Sequence, residues 1–244
     1  MIRLPLLDAT LPDHFPPVEH ALREPDGLLA AGGDLSPQRL LAAYAQGIFP
    51  WYSRGEPILW WSPDPRCVFA TDRLHVSRRF ARWLRGCDWR IGADEAFADV
   101  MRACAAPRPT QPTTWIDDDM LAAYTRLHAL GHAHSVEVRD ASGELVGGLY
   151  GVAIGRMFYG ESMFSRRDNA SKLALLALAR VMHRNDMPLL DAQVASAHLF
   201  RLGAVEMPRD AFRSRIHALA ACAPMPFADW RTALAARTPA ELLR

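Results

Sequence analysis

Lysine is almost missing from this chain: Lys172 is the only one, and arginine supplies nearly all of the 28 basic residues. Set against 27 acidic residues, this leaves a net charge of +1. No global field therefore announces a polyanionic partner, and only local clusters can. Cysteine is scarce too. Cys67, Cys87, Cys104 and Cys222 are scattered, with no Cys-x-x-Cys pair and no histidine ladder beside one, so no zinc cage is legible and no metal is expected. No apolar run reaches the ~18 residues that span a membrane, and Pro5 and Asp8 break the N-terminal run as no signal peptide would. The nucleotide-binding loops Gly-x-x-x-x-Gly-Lys-Ser/Thr and Gly-x-Gly-x-x-Gly are absent, as is a Gly-x-Ser-x-Gly elbow. These absences predict a protein of the reducing cytoplasm that works without a cofactor and off the membrane.

What is present begins with size: 244 residues, half of them hydrophobic, make one large domain or one domain with a small appendage. Prolines and glycines fill residues 1–35, which read as ordered loop and turn. Ser36 then caps a helix, Pro37 suits its first position, Leu40, Leu41 and Tyr44 form its apolar stripe, and Gly47 ends it. The following segment carries Phe49, Trp51, Tyr52, Trp60 and Trp61 on a proline-fixed path that excludes regular helix. Such rings build either a small aromatic core or a stacking platform, and Trp51 is the candidate for a ring left free. Ser77 caps a short helix on which Arg78, Arg82 and Arg85 share a face, with Arg79 beside them. That face is either solvated or a phosphate contact; no acid between Val76 and Gly86 neutralises it.

Further on, helices are predicted over 94–105 and 120–130, strands over 134–139 and 144–152, and a helix from Asn169 to about Arg184. Trp115, before an acidic helix start at Asp117, is either a core staple or a second stacking ring. Between strand and long helix lies Gly147 to Lys172, where Glu161 stands alone among Phe158, Tyr159, Met163 and Phe164. It points either to solvent or into a site. Leu189 to Val194 reads as a strand on which Asp191 and Gln193 share a face. They are either a polar network pinning a core strand or part of the chemistry. The last twenty residues, broken by proline, are expected to be peripheral. The order of elements predicts an α+β fold with a mixed sheet flanked by helices.

Six segments taken together resemble the leucyl/phenylalanyl-tRNA protein transferase family. They are Gly27-Leu-Leu-Ala-Ala-Gly-Gly-Asp-Leu-Ser36, Gly47-Ile-Phe-Pro-Trp-Tyr52, Ile58-Leu-Trp-Trp-Ser-Pro-Asp-Pro-Arg66, Leu127-His-Ala-Leu-Gly-His-Ala-His-Ser135, Gly160-Glu-Ser-Met-Phe-Ser165 with Asn169-Ala-Ser-Lys172, and Leu190-Asp-Ala-Gln-Val194. The resemblance runs from about Leu22 to Pro208. It implies a small N-terminal domain over 1–64 and an acyltransferase-like domain of the GNAT type over 65–244. It also implies a cytoplasmic monomer that moves leucine or phenylalanine, and less readily methionine, from aminoacyl-tRNA. The acceptor is the α-amine of a protein beginning with arginine or lysine, which then enters N-end-rule degradation.

Residue by residue, the resemblance ties Asp191 and Gln193 to catalysis. Gln193 orients and hydrogen-bonds, and Asp191 holds it or accepts charge; alternatively the tRNA's own terminal ribose hydroxyl shuttles the proton. It makes Glu161 a counter-charge for the acceptor's cationic N-terminal residue rather than a base. It places Leu149, Phe158, Met163, Leu175 and Leu178 around the aminoacyl side chain. Trp51 and Trp115 become the rings for the terminal adenosine, and Arg78, Arg79, Arg82 and Arg85 the strip for acceptor-stem phosphates. Aminolysis of an ester is downhill, which suits a chain with no ATP loop. An acetyl-CoA acetyltransferase would need an Arg/Gln-x-x-Gly-x-Gly/Ala loop, and the sequence holds no such run.

Overall fold

The computed structural model describes residues 4–107, 114–225, 227–235 and 238–243. Two sheets divide the chain. The first is four-stranded, β1 (Leu6–Leu7), β2 (Leu28–Gly32), β4 (Leu59–Trp61) and β3 (Phe49–Pro50) side by side in that order. Between β2 and β3 lies α1 (Pro37–Ala45), where the Ser36 hydroxyl accepts from the Arg39 N–H and Pro37 opens the helix. The N-terminal region thus holds strands where its prolines and glycines suggested only turns. Phe49, Tyr52 and Trp60 are buried there, so most of the aromatic run is core.

The second sheet has seven strands: β5 (Arg66–Ala70), β6 (Arg90–Ala93), β7 (Ala133–Arg139), β8 (Leu145–Ile154), β9 (Met157–Ser165), β10 (Leu189–Gln193) and β11 (Val205–Met207). Their spatial order is β11-β5-β10-β9-β8-β7-β6, and β9 with β10 is its one parallel pair. β6, an edge strand of four residues, gave no clear alternation to read. Its helices are α2 (Arg78–Arg85), α3 (Phe97–Ala105), α4 (Asp118–Ala129), α5 (Ala170–Arg184), α6 (Ala197–Arg201), α7 (Arg209–Ala220) and α8 (Phe227–Ala235). None is long and apolar enough to cross a membrane.

Both faces of the large sheet are covered. On one, Tyr124, Tyr150, Tyr159 and Phe212 join Tyr44 and Trp60 of the N-terminal segment in a single apolar cluster. On the other, Phe158, Leu173, Leu176 and Trp230 pack with Phe80 and Leu84. The C-terminal residues are therefore not peripheral. Trp230 and Leu234, four apart on α8, are buried against the sheet, and Trp230 stacks on His134 with centroids 4.9 Å apart. Spacing of i, i+4 on a short helix is enough to make an apolar stripe, which the flanking prolines obscured.

Two irregularities set up the site. In β9, Tyr150 faces Ser162 and Gly151 faces Gly160, so Glu161 is the extra residue of a β-bulge. A bulge re-aims the side chains that follow it. Tyr159 accordingly joins the first cluster and Met163 packs with the second, although regular alternation would put both on one face. The strands come so close that a Cβ on Gly151 would lie 2.1 Å from the Tyr159 carbonyl oxygen, so glycine is required there. The second irregularity is in β10, between Asp191 and Gln193, where Gln193 takes a left-handed φ of 62°. Asp191 and Gln193 therefore do not simply alternate along a flat strand.

Candidate active site

The parallel pairing of β9 with β10 ends at Asp191 opposite Tyr159, while β9 runs on to Ser165. In the gap that opens beyond this pair lies a cavity of about 130 Å³. Leu149, Met163, Leu175, Leu178 and Leu190 make most of its apolar wall, and Glu161 and Asp191 lie at its polar side. An apolar cavity of ~150 Å³ accepts a benzene ring, so the size suits an isobutyl, thioether or benzyl group. Phe158 is not part of this wall. It precedes the bulge, is fully buried, and packs on Trp230 at a centroid distance of 5.7 Å. The cavity opens only past the last paired residues, one position further along.

Glu161 is the centre of a polar knot. The Tyr44 hydroxyl donates to its Oε1 at 2.7 Å, Tyr124 to its Oε2 at 3.2 Å, and Gln193 Nε2 to Oε1 at 2.8 Å. The two phenols also lie within hydrogen-bond distance of each other, and with one proton apiece they cannot fill all three contacts as donors at once. Burial pushes the Glu161 carboxyl up to about 7, the nearby Asp191 charge pushes the same way, and the Tyr44, Tyr124 and Gln193 hydrogen bonds oppose it. Burial, then the Glu161 charge, raises Tyr44 and Tyr124 well above the usual phenol range, so both remain protonated donors. Glu161 therefore does not point to bulk solvent. Tyr44 and Tyr124 were not legible as site residues, since each passes for part of an apolar helix face. The signal was there: a buried tyrosine needs a partner for its hydroxyl.

Asp191 is committed elsewhere. Arg66 Nε donates to its Oδ1 at 2.8 Å and Arg66 Nη2 to its Oδ2 at 2.7 Å, with both side chains buried. Oδ1 also accepts the Gln193 N–H at 2.9 Å. Both oxygens of Asp191 are thus engaged by the guanidinium. The side chain that reaches Glu161 from this strand is that of Gln193.

The remaining predicted residues lie around this centre. Trp51 is 43% exposed and leans on Trp61 with centroids 5.6 Å apart. Trp115 is half-buried and packs against the first apolar cluster. Their segments meet where the Tyr52 hydroxyl donates to Asp117 at 3.5 Å. If Trp51 is the stacking ring that the resemblance implies, Trp51→Ala should weaken use of an aminoacyl-nucleotide substrate by about 10-fold, with an unchanged thermal transition. A collapsed transition would show Trp51 to be core. On α2, Arg78, Arg79, Arg82 and Arg85 are exposed and form no ion pair with any described residue. None of them lines the cavity. Among the described residues, no group of three or more His, Cys, Asp or Glu is placed to hold a metal ion.

An α+β protein whose apolar cavity adjoins a carboxyl–amide–phenol knot is the class these features define. The sequence pattern of the family described as Leucyl/phenylalanyl-tRNA protein transferase matches residues 68–217, and that of its N-terminal domain matches residues 33–64. The Leucyl/phenylalanyl-tRNA--protein transferase of Xanthomonas campestris pv. campestris (strain B100) is 60% identical over 88% of this chain and 86% of its own length. That of Xylella fastidiosa (strain M12) is 58% identical over 87% of each. Among solved structures, a GCN5-related N-acetyltransferase from Sphaerobacter thermophilus aligns at 18% identity and a TM-score of 0.37, over 71% of this chain and 54% of that one. That likeness is too slight to bear on the site. The chain belongs to the leucyl/phenylalanyl-tRNA protein transferase family and is an aminoacyltransferase.

Proposed function

We propose that this enzyme moves leucine or phenylalanine, and methionine less readily, from aminoacyl-tRNA to the α-amine of proteins that begin with arginine or lysine. The observation that carries the reading is the apolar cavity whose polar side holds Glu161, with the Gln193 amide bonded to that carboxyl. Leu149, Met163, Leu175 and Leu178 suit a side chain that is apolar and unbranched at Cβ, and Met163 adapts to either shape. Trp51 and Trp115 would stack the terminal adenosine. Arg78, Arg79, Arg82 and Arg85 would take acceptor-stem phosphates, which position the tRNA without reading its sequence. We read residues 1–64 as the small N-terminal domain and 65–244 as the catalytic one. Support comes from the sheets, which draw their strands from 6–61 and 66–207 respectively. The enzyme would act as a cytoplasmic monomer and mark its products for N-end-rule degradation.

In the reaction, the acceptor amine attacks the ester carbonyl. A C–N bond forms, the C–O bond to the ribose breaks, and the ribose oxygen leaves with a proton. The acceptor first arrives as an ammonium, and Glu161 is the anion that meets it. A carboxyl near 7 beside an α-ammonium of ~7.7–8.0 is matched closely enough to take its proton as well as to hold it. This gives Glu161 a base's part at the α-amine, which differs from the counter-charge to the cationic Arg or Lys residue that the resemblance implied. Gln193 fixes the direction of the Glu161 carboxyl and is itself held by Asp191. Positioning of two substrates supplies the rest.

The acceptor preference is tested with a panel of otherwise identical proteins beginning with arginine, lysine, alanine or glutamate, each given Leu-, Phe- or Met-tRNA. Arginine and lysine acceptors should be labelled and the others not; equal labelling of all four removes the acceptor reading. A separate comparison tests the arginine strip. Changing Arg82 and Arg85 to glutamate should raise KM for full tRNA more than for a short aminoacyl-adenosine substrate, and the more so at low salt. An equal rise on both substrates argues against a phosphate strip.

A further inference from the structure

We propose that Arg66 is a positioning residue for the acyl transfer, acting through Asp191 on the bulge that aims Gln193. The inference rests on the reading of Gln193 and Glu161 given above. Arg66 is buried at the start of β5, away from the cavity wall. Its guanidinium is held on every side. Nε and Nη2 engage both oxygens of Asp191, and Nη1 donates to the Gly47 carbonyl at 3.0 Å. The rings of Phe49 and Phe212 each lie 4.8 Å from its central carbon. One side chain thus gathers the segment after α1, the strand β5, the helix α7 and the strand β10.

A buried ion pair is weak evidence for stability, because well-packed apolar residues often do as well. What an apolar pair would not do is accept the Gln193 N–H. Gln193 sits in the left-handed region, a strained place for a residue with a side chain, and such strain persists only where the surroundings hold it. Asp191 Oδ1 holds it by accepting that N–H, and Arg66 fixes Asp191 in the bidentate orientation that leaves Oδ1 turned toward it. From there the Gln193 amide reaches Glu161. The four residues form one unbroken series of hydrogen bonds from a guanidinium outside the cavity to the carboxyl at its edge. Lysine supplies the charge of arginine but not its planar fork, so Arg66→Lys keeps the ion and loses the aim.

The consequence falls on turnover rather than on substrate binding, because Arg66 touches neither the aminoacyl wall nor the two stacking rings. Arg66→Lys should lower kcat by about 100-fold, the scale of a misplaced catalytic group, with KM for Phe-tRNA changed by less than about 3-fold. The decisive measurement is a cycle of Arg66→Lys and Gln193→Ala, with kcat and KM for both substrates and a thermal transition for every protein. If Arg66 acts through Gln193, Arg66→Lys has no further effect on kcat once the Gln193 side chain is gone. A full additional loss in that background overturns the inference, as does a fully active Arg66→Lys. A fully active Gln193→Ala fails differently, for it removes the reading of Gln193 itself. Should Arg66→Lys not fold, Phe212→Leu takes its place. It removes one ring from the guanidinium and leaves the ion pair, and a smaller loss of kcat that vanishes with Gln193→Ala is expected. No loss, or one that persists in that background, counts against Arg66.

Discussion

Glu161→Gln is expected to lower kcat/KM by about 100-fold or more at pH 8, the scale of a lost acid–base group. The substitution keeps the shape but removes the charge. It also offers a single acceptor oxygen where two phenols and the Gln193 amide all donate. The pH behaviour separates this cause from simple damage. In the folded protein the carboxyl titrates near 7, against 4.5 ordinarily. If the carboxylate is the form that meets the acceptor, activity should rise as the pH is raised through about 7. Stability should move the other way. A carboxyl that ionises later in the folded state than in the unfolded state binds an extra proton between those values. Its contribution is fully present below the unfolded value, and it is lost as the pH climbs through the folded one. In Glu161→Gln both slopes should flatten. Rate profiles and thermal midpoints taken from pH 4 to pH 9 check both, and an unchanged acidic limb in the variant would assign that limb to another group.

Asp191→Ala should be the most destabilising single change at the site. It leaves the Arg66 guanidinium buried with only the Gly47 carbonyl to bond it. Uncoupling one partner of a buried pair costs about 3–5 kcal/mol. For a chain of this length, that lowers the thermal midpoint by about 6–20 °C. Replacing Arg66 and Asp191 together by methionine and leucine should recover much of the midpoint without recovering activity, because nothing then accepts the Gln193 N–H. A double variant as active as the parent would show that the pair serves packing alone.

The motifs that the sequence offered were local, and locality decides what was legible. Helices α1, α2 and α5 announced themselves through Ser36, Ser77 and the long apolar run after Asn169, since caps and periodicity need only nearby residues. Met163, Leu149, Leu175 and Leu178 fell on the cavity wall because the bulge, which no alternation rule anticipates, turned Met163 toward α5. Phe158, five residues before Met163, was placed there by the resemblance alone and packs on Trp230 instead. The relation of Asp191 to Arg66 spans 125 positions. That of Tyr44 to Glu161 spans 117. Neither spacing leaves a trace in the sequence of one chain. Hence the polar network read as one of two possibilities for Asp191 had no visible partner, Tyr44 passed for an apolar stripe residue, and Arg66 went unnoticed as the last letter of a motif.

The most direct test mixes the purified protein with Phe-tRNA labelled in its amino acid and an acceptor protein beginning with arginine, with no ATP present. The label should move to the acceptor as an α-amide, and acetylating the acceptor's N-terminus beforehand should abolish the transfer. A protein that binds the charged tRNA yet leaves every label on it, or that labels the blocked acceptor equally well, would contradict the proposed transfer.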